Sequence, residues 1–208
     1  MNLLLGILIS YVLGSVPTAF LAGKLFGNID IRLHGSKNVG ATNTFRVLGK
    51  GPGTAVLVID ILKGFLAVTL VAHYLGLTGI LSSVLLGISA VSGHNWTVFL
   101  KFRGGKGMAT SLGVLLGLTF NFVSLRLVVS ICILAWATVF LSTGYVSLAS
   151  ILAAVFLPII MLFTGQGPEM VFLGVIFCVF VVFRHRPNIQ RLMAGTESRV
   201  DLPFFRRH

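Results

Sequence analysis

The chain has 208 residues, of which 56% are apolar and only 10% charged, with a mean hydropathy of +0.99. A soluble globular domain carries about 25% charged residues, so the composition excludes one and defines an integral membrane protein, read as one all-α polytopic domain over residues 1–208. The net charge of +11, from 16 Lys and Arg against 5 Asp and Glu, comes with too few polar residues for a nucleic-acid-binding domain and points to anionic headgroups or anionic substrates.

A spanning helix needs about 20 mostly apolar residues. In chain order the candidate runs are 3–26, 54–75, 78–100, 108–123, 127–143, 145–164 and 169–183, about seven spans, with the fourth, fifth and seventh short. The first is not a typical secretory signal, because no basic residue precedes it and the first cation, Lys24, follows it. With the N-terminus outside, the inside segments (27–53, 100–107, 143–145 and the tail from Arg184, with Lys24 at their edge) hold 14 of the 16 cations. Only Arg126 falls outside and Lys63 within a span. The positive-inside rule therefore selects N-out, C-in. Cys132 and Cys178 sit in separate apolar runs and read as packing residues.

The polar stretches between the runs carry the chemistry. The first, His34 to Arg46 (HGSKNVGATNTFR), holds no acid. Gly35 and Gly40 permit close backbone approach. Ser36, Asn38, Thr42 and Asn43 supply donors, and Lys37 and Arg46 supply charge, a mixture that suits a phosphate better than a plain basic loop requires. In the second run Asp60 and Lys63 share a helix face and are expected to form a structural ion pair turned away from lipid. The second polar stretch, Gly93 to Thr110 (GHNWTVFLKFRGGKGMAT), brackets Lys106 with Gly104, Gly105 and Gly107. A glycine turn with a lysine, opening into a helix, is expected to offer N–H groups and a positive helix end to an oxyanion. It is not a Walker A loop, since position 100 is Leu, so no nucleotide is implied. Trp96 suits a membrane interface, and Gly113 with Gly117 forms a GxxxG packing face. Ser147 and Ser150 lie about one turn apart at the start of the sixth run. The third polar stretch, Arg184 to Arg199 (RHRPNIQRLMAGTESR), places Pro187 between His185 and Asn188, and a helix is expected to begin near that proline. Glu197 reads as the structural partner of a cation.

No His/Cys/acid cluster has zinc spacing, and no acid stands five residues after His34, His94 or His185. There is no GxSxG elbow and no pair of carboxylates for magnesium. What remains are cations, hydroxyls, amides and glycine N–H groups. Such a set gathers anions and brings them together, but is poor at covalent or metal chemistry.

GSKNVGATNTFR, GHNWTVFLKFRGGKGMAT and RHRPNIQRLMAGTES, in that order, resemble the three motifs of the bacterial PlsY family, the membrane-embedded acyl-phosphate:glycerol-3-phosphate acyltransferases. The likeness runs through nearly the whole chain and includes GSVPT, DILKG and YVSLAS. Two positions depart: Thr97, where Pro is expected, and Gly144, where a basic residue is expected. The resemblance implies transfer of an acyl group from acyl phosphate to the sn-1 hydroxyl of glycerol 3-phosphate, giving lysophosphatidate and phosphate, the first acylation of phospholipid synthesis at the bacterial inner membrane. It implies no cofactor, no metal, no acyl-enzyme and no direct use of acyl-CoA or acyl-carrier protein. Among site residues it implies Ser36, Arg46, Lys106, His185 and Asn188 as catalytic, Gly104, Gly105 and Gly107 as the phosphate turn, Ser147 as lining the site, and Glu197 as structural. Thr42 and Asn43 join the substrate-binding set. The expected partners are acyl phosphate, glycerol 3-phosphate and membrane lipid, with no nucleic acid. Two bases compete for the hydroxyl proton, His185 and a substrate phosphate. The phosphate is preferred because no carboxylate is matched to the task. A rival reading, a small transporter of an organic anion with Asp60 and Lys63 at mid-membrane, is disfavoured because the polar motifs gather on one side and no inverted repeat is visible.

Overall fold

The computed structural model describes residues 1–200, so Asp201, Arg206 and Arg207 of the basic tail lie outside it. The described residues contain helices and no strand. They divide into two compact units, Met1–Val123 and a second beginning at Ser124.

The first unit comprises α1 (Asn2–Ser15), α2 (Thr18–Gly27), α3 (Ala41–Leu48), α4 (Lys50–Leu66), a π-helical turn (Ala67–Val71) leading into α5 (Ala72–Tyr74), α6 (Ile80–Asn95) and α7 (Met108–Asn121). The first apolar run is not one helix, as expected, but two. Pro17 has no N–H to donate and its ring opposes a continuous helix, so the chain breaks at Val16–Pro17. The carbonyls freed there are satisfied by side chains distant in the chain, the condition for breaking a helix inside a membrane. The Thr97 hydroxyl donates to the Ser15 carbonyl (2.5 Å) and the Lys63 ammonium to that of Val16 (3.1 Å). Thr97 thus does a definite task where the family resemblance leads one to expect proline.

Close backbone contact holds this unit together. A Cβ on Gly14 would strike the Ala90 carbonyl, and one on Gly93 the Tyr11 carbonyl, so α1 and α6 cross with their backbones touching. Gly113 abuts the Ile61 carbonyl, and a Cβ on Gly117 would come within 2.6 Å of a Val68 methyl. The GxxxG stripe is therefore a packing face of α7 on α4 and the turn that follows it, as its spacing indicates. Asp60 and Lys63 form the expected pair at 2.8 Å, both buried, with the Thr18 hydroxyl donating to the same carboxylate oxygen at 2.6 Å.

The second unit comprises α8 (Leu125–Thr143), α9 (Val146–Phe163), α10 (Pro168–Arg184) and α11 (Arg186–Met193). Gly144 ends α8 in the left-handed conformation (φ 73°), which a basic residue would adopt only under strain. Its carbonyl accepts the N–H of Val200 (2.9 Å). The Trp136 indole donates to the Ser150 hydroxyl (3.3 Å), tying α8 to α9. At His185 the chain bends by 60° from α10 into α11, with Pro187 in the first turn, the one place in a helix where a missing N–H costs nothing.

Every predicted apolar run is helical. Asn2–Gly27, Lys50–Tyr74, Ile80–Leu100, Leu125–Thr143 and Val146–Phe163 are long and apolar enough to cross a bilayer, and the bent pair from Pro168 to Met193 makes a sixth if counted as one span. Met108–Asn121, at 14 residues, is shorter than the length a perpendicular span needs.

Candidate functional site

In the first unit, two polar stretches meet at one end. The loop before α3 is built around Asn43. Its side-chain oxygen accepts the Ser36 N–H (2.8 Å), and its amide donates to the carbonyls of His34 (3.1 Å) and Ile31 (3.3 Å). Asn43 is fully buried. Its sequence context suggests a substrate ligand, but its amide is engaged within the loop, where it shapes the chain on either side of Ser36. Gly35 (φ 57°) has to be glycine because a Cβ would overlap that Asn43 oxygen. The residue's smallness therefore serves the clip and not a ligand. Ser36, Thr42 and Arg46 are left exposed at this end. Asp30 and Arg32 neutralise each other at 2.6 Å, and the Arg32 guanidinium holds the Asp30 carboxyl down to about 2.

The helix α3 itself was not anticipated from the sequence. Ala41 and Leu48 pack with Phe20 against Ala19, Ala22, Val39, Val56 and Leu100. Their spacing of seven positions, with Thr44 buried between them, is the signal that was available.

The second polar stretch folds back onto the end of α6. The N–H of Gly104 donates to the Asn95 carbonyl and that of Gly105 to the His94 carbonyl, each at 3.1 Å. The sequence pattern leads one to expect these N–H groups to face an oxyanion, but they bind α6. The glycines are required because a Cβ on Gly104 would strike the His94 carbonyl, and one on Gly105 the His94 imidazole Nε2. Gly107 (φ 79°) caps the start of α7. What the turn can present to an anion is the Lys106 side chain together with the first N–H groups of α7, which have no partners within the helix. Gly105 also lies against the Val39 carbonyl (2.6 Å from its Cβ position), so turn and loop are in contact.

In the second unit, the polar residues also gather at one end. The Glu197 carboxylate accepts from the Asn188 amide (2.5 Å) and the Arg191 guanidinium (2.7 Å). The Ser147 hydroxyl is buried and faces the same carboxylate without a hydrogen bond of regular geometry. Burial raises the Glu197 pKa, but Asn188, Ser147 and Arg191 outweigh it, and the net shift is downward. Glu197 thus ties Asn188 and Arg191 of α11 together and faces Ser147 of α9. The guanidinium of Arg199 stacks on the Tyr145 ring at 4.7 Å, closing the tail over the α8–α9 turn. His185 is buried, and its Nδ1 lies 2.8 Å from the Val181 carbonyl. A carbonyl only accepts, so Nδ1 carries a proton.

These features belong to an all-helical integral membrane protein whose first unit exposes a cation and hydroxyls, Arg46, Ser36 and Thr42, at one end. The comparisons with known proteins narrow that class. Residues 4–195 match the family model described as glycerol-3-phosphate acyltransferase. A glycerol-3-phosphate acyltransferase of Fusobacterium nucleatum subsp. nucleatum is 43% identical over 194 residues, 93% of this chain and 95% of that one. One of Prochlorococcus marinus (strain MIT 9312) is 42% identical over 203 residues, 97% and 98% of the two chains. The crystal structure of PlsY (YgiH), an integral membrane glycerol 3-phosphate acyltransferase in its glycerol 3-phosphate form, superposes with a TM-score of 0.87 at 35% identity, covering 97% of this chain and 96% of that one. Its lysophosphatidic acid form superposes with a TM-score of 0.84. The chain belongs to the glycerol-3-phosphate acyltransferase family.

Proposed function

We propose that this protein transfers a fatty acyl group from acyl phosphate to the sn-1 hydroxyl of glycerol 3-phosphate, releasing lysophosphatidate and inorganic phosphate. The reading has it in the bacterial cell membrane, N-terminus out, with its polar ends at the inner leaflet. The observation that carries it is the contact between the first loop and the glycine turn at Val39 and Gly105. That contact puts the stretch bearing Ser36 and Arg46 beside the one bearing Lys106. The solved relative in its glycerol 3-phosphate form supports the acceptor.

The chemistry matches the side chains available. Acyl phosphate is a mixed anhydride, already activated, so no acyl-enzyme is required. The acceptor oxygen attacks the carbonyl carbon, a tetrahedral oxyanion forms, and the carbon–oxygen bond to phosphate breaks. The hydroxyl proton leaves on the departing phosphate. The protein's work is to hold two anions in line and offset their repulsion, for which positioning alone is worth roughly 7–11 kcal/mol. Lys106, Arg46 and the α7 N-terminus supply positive potential. Ser36 and Thr42 supply hydroxyl donors. The acyl chain lies in an apolar groove between helices, entered from the bilayer.

A second reading of the proton step has a specific observation in its favour. The Val181 carbonyl keeps a proton on Nδ1 of His185, so in a neutral ring Nε2 is the nitrogen that accepts one, as a general base requires. The variant His185→Gln separates the two. Near-normal kcat leaves the proton on the substrate phosphate, whereas a kcat lower by orders of magnitude with unchanged substrate binding assigns it to His185. The donor is tested by offering acyl phosphate, acyl-CoA and acyl-carrier protein separately to purified protein. Lysophosphatidate is expected from acyl phosphate alone, and equal turnover of either thioester refutes the donor assignment.

A further inference from the structure

We propose that Asp60 is a positioning residue for this reaction, holding the turn that carries Lys106 by way of the His94 imidazole. The inference rests on the reading of that turn as a phosphate site. Asp60 lies in α4, outside the three polar stretches in sequence but facing His94 of the second, and its pairing with Lys63 accounts for its charge. The bond from Lys63 to the Val16 carbonyl accounts for its place beside the break in the first span, but not for the approach of His94. A buried ion pair contributes little net stability, because desolvation offsets the attraction, and well-packed apolar residues of similar volume often serve as well or better. A pair kept for packing alone has no reason to sit beneath a polar turn.

Asp60 Oδ1 is the shared focus of three elements. It accepts from Thr18 at the start of α2 (2.6 Å) and from Lys63 (2.8 Å), and it faces His94 Nδ1 near the end of α6 at 3.6 Å, an ion-pair separation longer than a direct hydrogen bond. Asp60, Lys63 and His94 are all more than nine-tenths buried. The far side of the His94 ring meets the turn: Gly105 packs on Nε2 so closely that no Cβ fits between them. The His94 carbonyl accepts the Gly105 N–H, and the next carbonyl, Asn95, accepts that of Gly104. Lys106 follows directly. The chain of contacts is therefore carboxylate, imidazole, glycine turn, cation. Through the Val39 carbonyl against Gly105, it also touches the loop that bears Ser36. If the carboxylate loses its charge, the imidazole loses that electrostatic attraction on one side, and the turn packed on its other side loses part of its support. A misplacement of about 1 Å at a reacting group can cost roughly 100-fold in rate.

The test compares Asp60→Asn, the charge-free pair Asp60→Asn with Lys63→Met, and His94→Gln against wild type. Val84→Ala, a buried α6 residue outside this chain of contacts, serves as a control for simple loss of stability. Two quantities are read: KM for each substrate, and amide hydrogen exchange in peptides covering residues 104–107. The expected result is a KM for glycerol 3-phosphate or acyl phosphate raised roughly 10- to 100-fold with faster exchange in the turn. Val84→Ala should lower Tm and change neither. If the Asp60 variants fail to fold, His94→Gln carries the test. Wild-type KM and wild-type exchange in the folded variants overturn the proposal. A lowered Tm with KM and exchange unchanged also overturns it, since that is a purely structural pair. Faster exchange with unchanged KM, where Lys106→Ala also leaves both KM values unchanged, shows that the phosphate-site reading has failed, and the positioning role falls with it.

Discussion

The polar ends of the two units are built on different principles. In the first, the scaffold is main chain. Glycines fold tightly onto α6, Asn43 clips the loop beside Ser36, and the buried charges lie one layer below, in Asp60, Lys63 and His94. The side chains that remain at the surface, Ser36, Thr42 and Arg46, are exposed. In the second, the scaffold is a single carboxylate. Glu197 ties Asn188 and Arg191 together and faces Ser147, while a backbone carbonyl fixes His185. The contrast teaches where sensitivity to substitution should lie. The first end should fail by losing substrate, or by steric collision under the turn. The second should fail by losing the order of its last helix.

The largest effect is expected from Lys106→Ala and Arg46→Ala. Each removes a cation from the end proposed to hold the substrates, so kcat/KM should fall by about 100- to 1000-fold, by more than any change in Tm accounts for. Folded variants with full activity would show that neither cation holds substrate. Gly105→Ala comes next. Its Cβ would overlap both the His94 ring and the Val39 carbonyl, and overpacking of this kind costs about 1–3 kcal/mol. Activity and Tm should fall together, unlike the Lys106 variant.

Glu197→Ala should act on order rather than on binding. It removes the Glu197 bonds of the Asn188 amide and the Arg191 guanidinium, a loss of about 1–3 kcal/mol concentrated in α11 and the residues after it, read as faster tryptic cleavage after Arg191 and Arg199. The same segment should respond to acid. The folded pKa of Glu197 is lowered, so its contribution is present above the ordinary glutamate range and is lost as pH falls through the folded value. Amide hydrogen exchange in α11, corrected for its intrinsic pH dependence, should accelerate on acidification in wild type, and Glu197→Gln should flatten that dependence. The smallest effect is expected from Thr97→Val, which removes the hydrogen bond to the Ser15 carbonyl and should cost about 1 kcal/mol with kinetics unchanged.

Much of this was legible in the sequence, for definite reasons. Hydropathy located all the apolar runs, because twenty apolar residues in a row have few other uses. The Asp60–Lys63 pair followed from helical spacing, and the Gly113–Gly117 face from small residues four apart. The helix after His185 followed from Pro187. What stayed hidden depended on partners distant in the chain. The split at Pro17 is stable because Thr97 and Lys63 satisfy the freed carbonyls, and neither is a local feature. Asn43 looked like a ligand donor because its three loop acceptors and donors are revealed only by the fold. The glycines at 104 and 105 matched an anion-binding turn in pattern, yet their N–H groups close onto α6. A glycine in a sequence reports that something comes close, without saying whether it is ligand or protein.

Two anionic substrates that are held together and react with each other, one displacing phosphate from the other, leave a signature in their products. The most direct measurement is the stoichiometry of products from purified protein given acyl phosphate and glycerol 3-phosphate with EDTA present. One phosphate released for each lysophosphatidate formed, at an undiminished rate in the chelator and with no phosphate released when glycerol 3-phosphate is withheld, is the predicted result. Activity abolished by EDTA and restored by a divalent metal, or a stoichiometric burst of phosphate in the absence of acceptor, would contradict it.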